Sequence, residues 1–448
     1  MDYLTLFILF CIICAVLQYV NYNSNKDDQA SKYTGLSSTN TFSVTSQMSF
    51  KAFQNQYLFI YLLAMGADWM QGPYVYALYK SYGFAMSDIA ILFVSGFLSS
   101  MVFGVIVGPI ADKYGRKLMT IIFGILYSAS CVTKLMPDYN ILMVGRILSG
   151  VSTSLLFSVF ESWMISEHNA RGFPEELLSS TFYKATFMNG VVAIMAGLWA
   201  SFSAEHWGFV SPFMWSLGLL IICTLLVIAN WNENYGNATV SLESTFKNSF
   251  QYLLNDRTII KLGFIQSLFE ASMYTFVFMW TPTLQQSGVA ASDSVSGTAA
   301  ENDLPFGLIF ATFMVCIMIG SSIYNMLPKV PPETLARWIF AVSIGSLSVP
   351  FLMPNHTLLL YLSFLLFEVC CGLYFPCMGT LRSKYIPESA RASIMNYFRV
   401  PLNFMVVVIL SNTSTISTTN IFMVCTMWLA IALTLQSTIR PSSQSIPH

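Results

Sequence analysis

Apolar runs long enough to cross a bilayer recur along this chain at short intervals. The first covers roughly residues 2–20. A polar stretch follows, from Asn21 to about Gln54, and then twelve further runs. They lie near 55–80, 87–111, 118–136, 140–163, 178–203, 209–230, 258–284, 304–327, 334–353, 357–381, 391–411 and 419–439. A hydrocarbon core of about 30 Å takes about 20 residues of helix. The pattern therefore predicts an all-α polytopic membrane protein. The longest charged stretch between the twelve runs, Trp231 to Arg257, divides them into six and six. Most other connections are short, so neighbouring helices run antiparallel. The expected organisation is an N-terminal apolar helix and polar linker (1–54), a six-helix bundle (55–230), a central linker (231–257), a second six-helix bundle (258–440) and a tail (441–448).

Composition narrows the class. Of 448 residues, 55% are hydrophobic and only 10% charged, against about 25% charged in soluble domains. A soluble surface cannot be built from so few charges. The net charge of −1 leaves no basic domain for nucleic acid. All nine cysteines lie inside apolar stretches, and Cys11-x-x-Cys14 has no partner ligands. The four histidines show no metal-ligand spacing, and no phosphate-binding loop or nucleophile motif is present. The expectation is a non-enzyme without catalytic residues, metal or cofactor, with the lipid bilayer as its surroundings; the residues leave the oligomeric state open.

Charge sets the orientation. If the loop holding Lys113, Arg116 and Lys117 is cytosolic, seventeen of the 21 cations fall on that side and only Lys80 and Lys134 on the other. Arg146 and Arg399 lie inside helices. So large an excess of cytosolic cations fits the positive-inside rule and puts both core ends in the cytosol. The loop at 285–303, with Asp293, Glu301, Asp303 and no cation, falls outside. The first run has Asp2 before it and Lys26 and Lys32 after it, the reverse of a signal peptide. We expect a thirteenth helix with its N-terminus outside. A cleaved signal and a membrane-surface helix are the alternatives.

Two six-helix halves predict internal similarity. Arg146 precedes Gly150 by four residues in the fourth core helix, and Glu368 precedes Gly372 by four in the tenth. A more specific pattern is Gly-Pro-Ile-Ala-Asp-Lys-Tyr-Gly-Arg-Lys at 108–117, between the second and third core helices. It resembles the cytosolic loop signature of the major facilitator superfamily. That resemblance implies a conformational latch made of Gly108, Asp112, Gly115 and Arg116. Gly115 permits a tight turn, and Glu161 is the expected partner of Arg116. The second-half loop, Leu327-Pro328-Lys329-Val330-Pro331, lacks the pattern.

Further blocks resemble the molybdate-anion transporter family within that superfamily. They are Ala67-Asp68-Trp69 with Pro73-Tyr74, the run Phe157 to Trp163, Gln266 to Glu270 with Trp280-Thr281-Pro282, Cys371 to Pro376, and Asn396 to Pro401. The resemblance implies a fold of two pseudo-symmetric six-helix bundles and uptake of molybdate by alternating access. It also implies that core helices one, four, seven and ten line a central cavity.

Charges inside a membrane are costly and mark functional candidates. At 1.5 Å per residue, Asp68, Glu270, Glu368 and Arg399 lie about 20, 18, 16 and 12 Å into their helices, and Arg146 about 9 Å from the outer side. Arginine offers a planar fork of donors suited to oxyanions. Arg399 is the first expected anion ligand and Arg146 the second, with Asn396, Asn403, Tyr74 and Tyr374 as neutral donors. Three acids exceed two arginines by one, so an anion site requires protonated acids, and Asp68 and Glu270 are the expected proton carriers. The structural alternative is that these charges form static pairs holding helices in register. At the level of function, the alternatives are a non-transporting nutrient sensor on the same scaffold or a carrier of another anion such as sulfate. The expected location is the cell membrane, with an internal membrane as the other option.

Overall fold

A computed structural model describes residues 3–36, 44–173, 175–235, 251, 253, 255–293, 304–327, 330–386, 388–413 and 415–439. The described residues are helical with short connections. The helices are α1 (Tyr3–Leu36), α2 (Val44–Gln71), α3 (Val75–Ser81), α4 (Met86–Tyr114), α5 (Arg116–Thr133), α6 (Tyr139–Ala170), α7 (Glu175–Trp207) and α8 (Ser211–Asn230). They continue with α9 (Arg257–Asp293), α10 (Phe306–Asn325), α11 (Pro332–Leu352), α12 (Thr357–Tyr385), α13 (Glu388–Ser411) and α14 (Thr418–Ser437). Each of the thirteen apolar runs coincides with one of these helices, except that the first core run is shared by α2 and α3. Pro73 lies in the single 3-10 turn, Gly72–Tyr74, that separates them. A proline cannot donate the backbone hydrogen bond a continuous helix needs. Pro282, Pro376 and Pro401 stay inside unbroken helices. Most of the central linker, and residues 441–448, lie outside the described residues.

Ten described helices are long and apolar enough to cross a membrane, among them Tyr3–Asn21. The core spans outside that set are α2 with α3, α5 and α13. Two of them carry the central charges Asp68 and Arg399. Neither stands alone in lipid, because α2 packs on α7 and α8, and α13 packs on α9 and α4.

The helices form the two bundles. In the first half, α4 and α5 both pack on α6, while α2 and α5 pack on α8. In the second half, α10 and α11 both pack on α12, and α9 and α11 on α14, which repeats the first arrangement six spans later. The halves meet where α4 packs on α13 and α7 on α10. Small residues permit the closest crossings. A Cβ on Gly320 of α10 would strike the backbone carbonyl of Val369, and one on Gly372 of α12 would strike that of Ile317.

The N-terminal helix α1 packs along α10. Tyr3 meets Tyr361 edge-on at 5.2 Å. Toward the other end of its apolar part, Gln18 donates to Ser322 Oγ (2.7 Å) and Asn21 to the Ser322 carbonyl (3.0 Å). The apolar part of α1 thus spans the depth of the second bundle, as the expected thirteenth helix does. In the second bundle, α9 continues past its apolar part to Asp293, into what the pattern reads as a loop. Its extra turns are polar and bonded: Gln285 accepts from Lys80 and Gln286 from Thr418.

Candidate functional site

The mid-depth charges gather around Tyr274. Residues Gln266, Glu270 and Tyr274 occupy one face of α9 at four-residue spacing. The ring of Tyr274 contacts Phe97 of α4, across the bundle interface, at 5.3 Å. Its phenol is within electrostatic range of Glu270, Arg399 and Asp68 together. On the second-bundle side, Tyr374 donates to Glu270 Oε1 (3.3 Å) and its ring stacks on Phe269 at 3.9 Å. Arg382 donates to Gln266 Oε1 (3.2 Å) and, with Arg399, exerts an attractive field on Glu270. The Arg399 guanidinium reaches the first bundle: it lies 3.7 Å from the point a Cβ on Gly104 would occupy. No hydrogen bond or ion pair holds that guanidinium among the described residues. On the first-bundle side, Tyr127 of α5 donates to Asp68 Oδ1.

Other candidates stand apart from this centre. Asn403 spends its amide on the carbonyl of Arg399, 2.8 Å away on the same helix. The side chain of Asn396 lies outside the described residues. Tyr74 is buried among Phe209 and Phe306, away from the centre. Glu368 is buried near the α10–α12 crossing, with Cys316 and Cys371 as electrostatic neighbours and no cation paired with it among the described residues. Arg146 lies nearer the face opposite the linker, where its Nε donates to the Leu92 carbonyl (3.2 Å). Its guanidinium covers the ring of Phe93 at 4.7 Å. Among the described residues no cluster of histidine, cysteine and acids could hold a metal.

The signature loop is braced differently from the expected way. Arg116 donates from Nε (3.2 Å) and Nη2 (2.8 Å) to Asp112, four residues back, not to Glu161. Glu161 is exposed on α6 and acts electrostatically on Tyr57 and Tyr61 of α2. The carboxylate that secures the loop is Glu233 of the linker. It accepts from the backbone N–H groups of Lys117 (2.8 Å) and Leu118 (3.1 Å), at the N-terminus of α5. Free N–H groups and the helix dipole favour an anion there. Gly115 turns the chain at φ +108°, and a Cβ on it would collide with the Glu233 carboxylate. Gly108 has open space beside it. Glu233 is itself fixed by its neighbours: Trp231 stacks on Trp163 at 3.8 Å, and Trp163 donates to the Asn232 carbonyl (2.8 Å).

The side-chain contacts between the bundles gather in the half of the molecule away from the linker. Lys80 donates to Gln285 (2.9 Å). Phe93 and Tyr76 both meet Phe278 edge-on, at 5.1 and 5.8 Å. Trp69 meets Phe310 at 5.9 Å, and its indole donates to Asn189 (2.8 Å). These contacts join the two bundles on that side of the centre.

Sequence reasoning missed Tyr274, Gln266, Arg382, Tyr127 and Glu233. The first two were readable, since they share a helix face with Glu270. The others depend on contacts between helices far apart in sequence.

Two bundles joined through α4–α13 and α7–α10, with charges at mid-depth between them, define a membrane transporter of the major facilitator class. Solved structures share the fold. The nucleoside transporter NupG superposes with a TM-score of 0.65 at 12% identity, over 86% of this chain and 97% of its own. The xylose transporter XylE from E. coli gives 0.65 at 12% identity, over 88% and 96%. The family model described as sugar transporters, 12 TM, matches residues 29–362. Among curated proteins, the molybdate-anion transporter of Xenopus laevis is 37% identical over 400 residues, covering 86% of this chain and 85% of that protein. The molybdate-anion transporter of Danio rerio is 33% identical over 402 residues, covering 82% and 80%. This chain belongs to the molybdate-anion transporter family of the major facilitator superfamily.

Proposed function

We propose that this protein carries molybdate across the cell membrane by alternating access, with a proton bound alongside the anion. The observation that carries this reading is Arg399. It stands at the bundle interface, its guanidinium in no ion pair among the described residues, and acts electrostatically on Glu270 and Tyr274. Its planar fork matches a tetrahedral oxyanion. The names of the relatives in Xenopus laevis and Danio rerio support molybdate as that oxyanion.

Proton coupling follows from the charge count. A dianion beside Arg399 also lies near two acids. Like charges disfavour ionisation, so anion binding and protonation of Glu270 or Asp68 reinforce one another, and that reinforcement is reciprocal. Tyr374 and Tyr127, which donate to these acids, hold the carboxyls in place in either state. The aromatic contacts and Lys80–Gln285 tie the bundles together on the far side, which supports a state open toward the linker. Release is then toward the linker side, and rocking of the bundles around Arg399 exposes the site to the other face.

The test is uptake of labelled molybdate into proteoliposomes, with and without an inward proton gradient, for the wild type and Arg399→Ala. Accumulation that requires both the gradient and Arg399 is the expected result. Flux indifferent to the gradient removes proton coupling and leaves transport standing. Binding without net flux replaces the transporter with a sensor.

A further inference from the structure

A second group of basic and hydroxyl side chains lies in the first bundle, nearer the far face. Lys134 follows the last residue of α5, and the Tyr82 hydroxyl donates to its carbonyl (2.5 Å). The lysine is 1% exposed. Its ammonium has one hydrogen-bond contact, a long one of 3.4 Å to the Ser130 carbonyl. It lies 5.8 Å from the Tyr79 ring centroid and 3.3 Å from the position a Cβ on Gly145 would take. The space beside Gly145 is taken first by Thr133 Oγ1, with the ammonium just beyond it. Tyr79, on α3, is 0% exposed and its hydroxyl has no partner. Arg146, on α6, is within electrostatic range of both. It uses Nε on the Leu92 carbonyl and lies over Phe93, while a Cβ on Gly96 would stand 2.8 Å from its Nη2. Among the described residues no carboxylate pairs with Lys134 or Arg146.

A buried cation without a counter-charge and a buried hydroxyl without a partner are each unfavourable. Here a buried lysine amine, an arginine and such a hydroxyl lie together among the described residues. A ligand carrying negative charge on several oxygens satisfies all three at once. Arg146 rests on the ring of Phe93, and Phe93 meets Phe278 of the opposite bundle edge-on. Arg146 thus links the group to a contact between the bundles.

We infer that Lys134, Tyr79 and Arg146 form a second anion site on the path from the far face, where a tetrahedral oxyanion docks before it reaches Arg399. The inference rests on the transport reading and adds the first landing place of the substrate to it. The ammonium and the Tyr79 hydroxyl donate to ligand oxygens, and Arg146 contributes its remaining guanidinium donors. Coupling of the site to the bundle interface lies in Phe93, which is shared by Arg146 and by the contact with Phe278.

The experiment uses the full chain in proteoliposomes, with molybdate as the probe and the initial uptake rate as readout. Tyr79→Phe removes an oxygen that bonds to nothing in the unliganded protein, so its thermal stability without molybdate stays that of the wild type. The site predicts a KM for molybdate raised about tenfold with kcat within about twofold. Lys134→Met raises KM at least as much. The molybdate concentration needed to protect purified Tyr79→Phe from thermal unfolding rises in parallel. Wild-type transport combined with an unchanged KM and unchanged protection in Tyr79→Phe overturns the inference and leaves the Arg399 site intact. If Lys134→Met does not fold, Tyr79→Phe alone decides. A wild type that neither binds nor moves molybdate overturns the transport reading and this inference with it.

Discussion

The two bundles repeat one helix arrangement and use it for different chemistry. The first bundle turns a hydrogen-bonded acid toward the centre, Asp68 with Tyr127, and keeps its cations Arg146 and Lys134 nearer the far face. The second bundle places acid and cations together: Glu270 has Arg399 and Arg382 acting on it and Tyr374 donating to it. The same split occurs on the linker side. In the first bundle Glu233 caps α5 from outside the helix. In the second bundle, whose loop lacks the signature, Glu333 of α11 does the bracing from within. It is fully buried and accepts from Lys384 (2.6 Å) and Tyr385 (2.8 Å) of α12. A shared scaffold therefore does not require shared residues. It requires that each bundle's inner polar groups be satisfied and that its linker-side ends be tied.

The largest effect that sharpens this comparison is at Arg399. If the second bundle holds the anion, Arg399→Ala lowers kcat/KM for molybdate by about 100-fold, the loss of roughly two charge-assisted hydrogen bonds. Arg399→Lys keeps the charge and loses the fork, with a loss of about tenfold. Apparent melting temperatures stay near that of the wild type, because among the described residues no hydrogen bond or ion pair holds the guanidinium. A large fall in melting temperature with unchanged uptake would instead make Arg399 a static brace.

The next effect separates the two linker-side braces. Glu333→Ala leaves Tyr385 and Lys384 without their acceptor. With the 35% exposure of Lys384 taken into account, the cost is about 1–2 kcal/mol. Glu233→Ala removes a helix cap and costs about 1 kcal/mol. Thermal unfolding of the two purified variants in detergent ranks them. Equal shifts, or a larger one for Glu233→Ala, would mean that the exposed linker contributes as much to stability as the buried brace.

Much of this architecture is legible in the chain because the bilayer imposes one length rule on every span. All thirteen runs are readable, including those of α2, α5 and α13, which fall outside the ten helices long and apolar enough to cross a membrane. Their ends were less so: α2 starts at Val44 and α6 continues to Ala170, since the helices extend beyond the apolar part into polar surroundings. The charges at the centre were legible from depth. Their neighbours were legible only where they share a helix face, as Gln266 and Tyr274 do with Glu270. Nothing local announces that Lys134 is buried or that Tyr79 lacks a partner, because both facts come from packing between helices. Glu161 was a reasonable partner for Arg116 by position along its helix, but Asp112 lies four residues away on the same turn. A short local contact needs no ordering of distant chain, and Glu233 supplies the long-range tie from a linker that has no apolar period to read.

The smallest effect concerns how that tie works. Gly115 is constrained twice, by φ +108° and by the Glu233 carboxylate in the place a Cβ would take. The backbone strain is present whatever stands at 233, while the collision exists only with Glu233. Gly115→Ala therefore has two separable costs. A double-mutant cycle of Gly115→Ala and Glu233→Ala isolates the second, with an expected coupling of about 0.5–1 kcal/mol in thermal unfolding. The double variant is then less unstable than the sum of the singles. A coupling of zero means that the loop yields freely and that Glu233 merely caps α5. A measurable coupling means that the linker and the signature loop form one rigid unit. In that case movement of the linker moves the end of α5 with it, and the first bundle has a handle on its conformation that the second, braced from within by Glu333, does not.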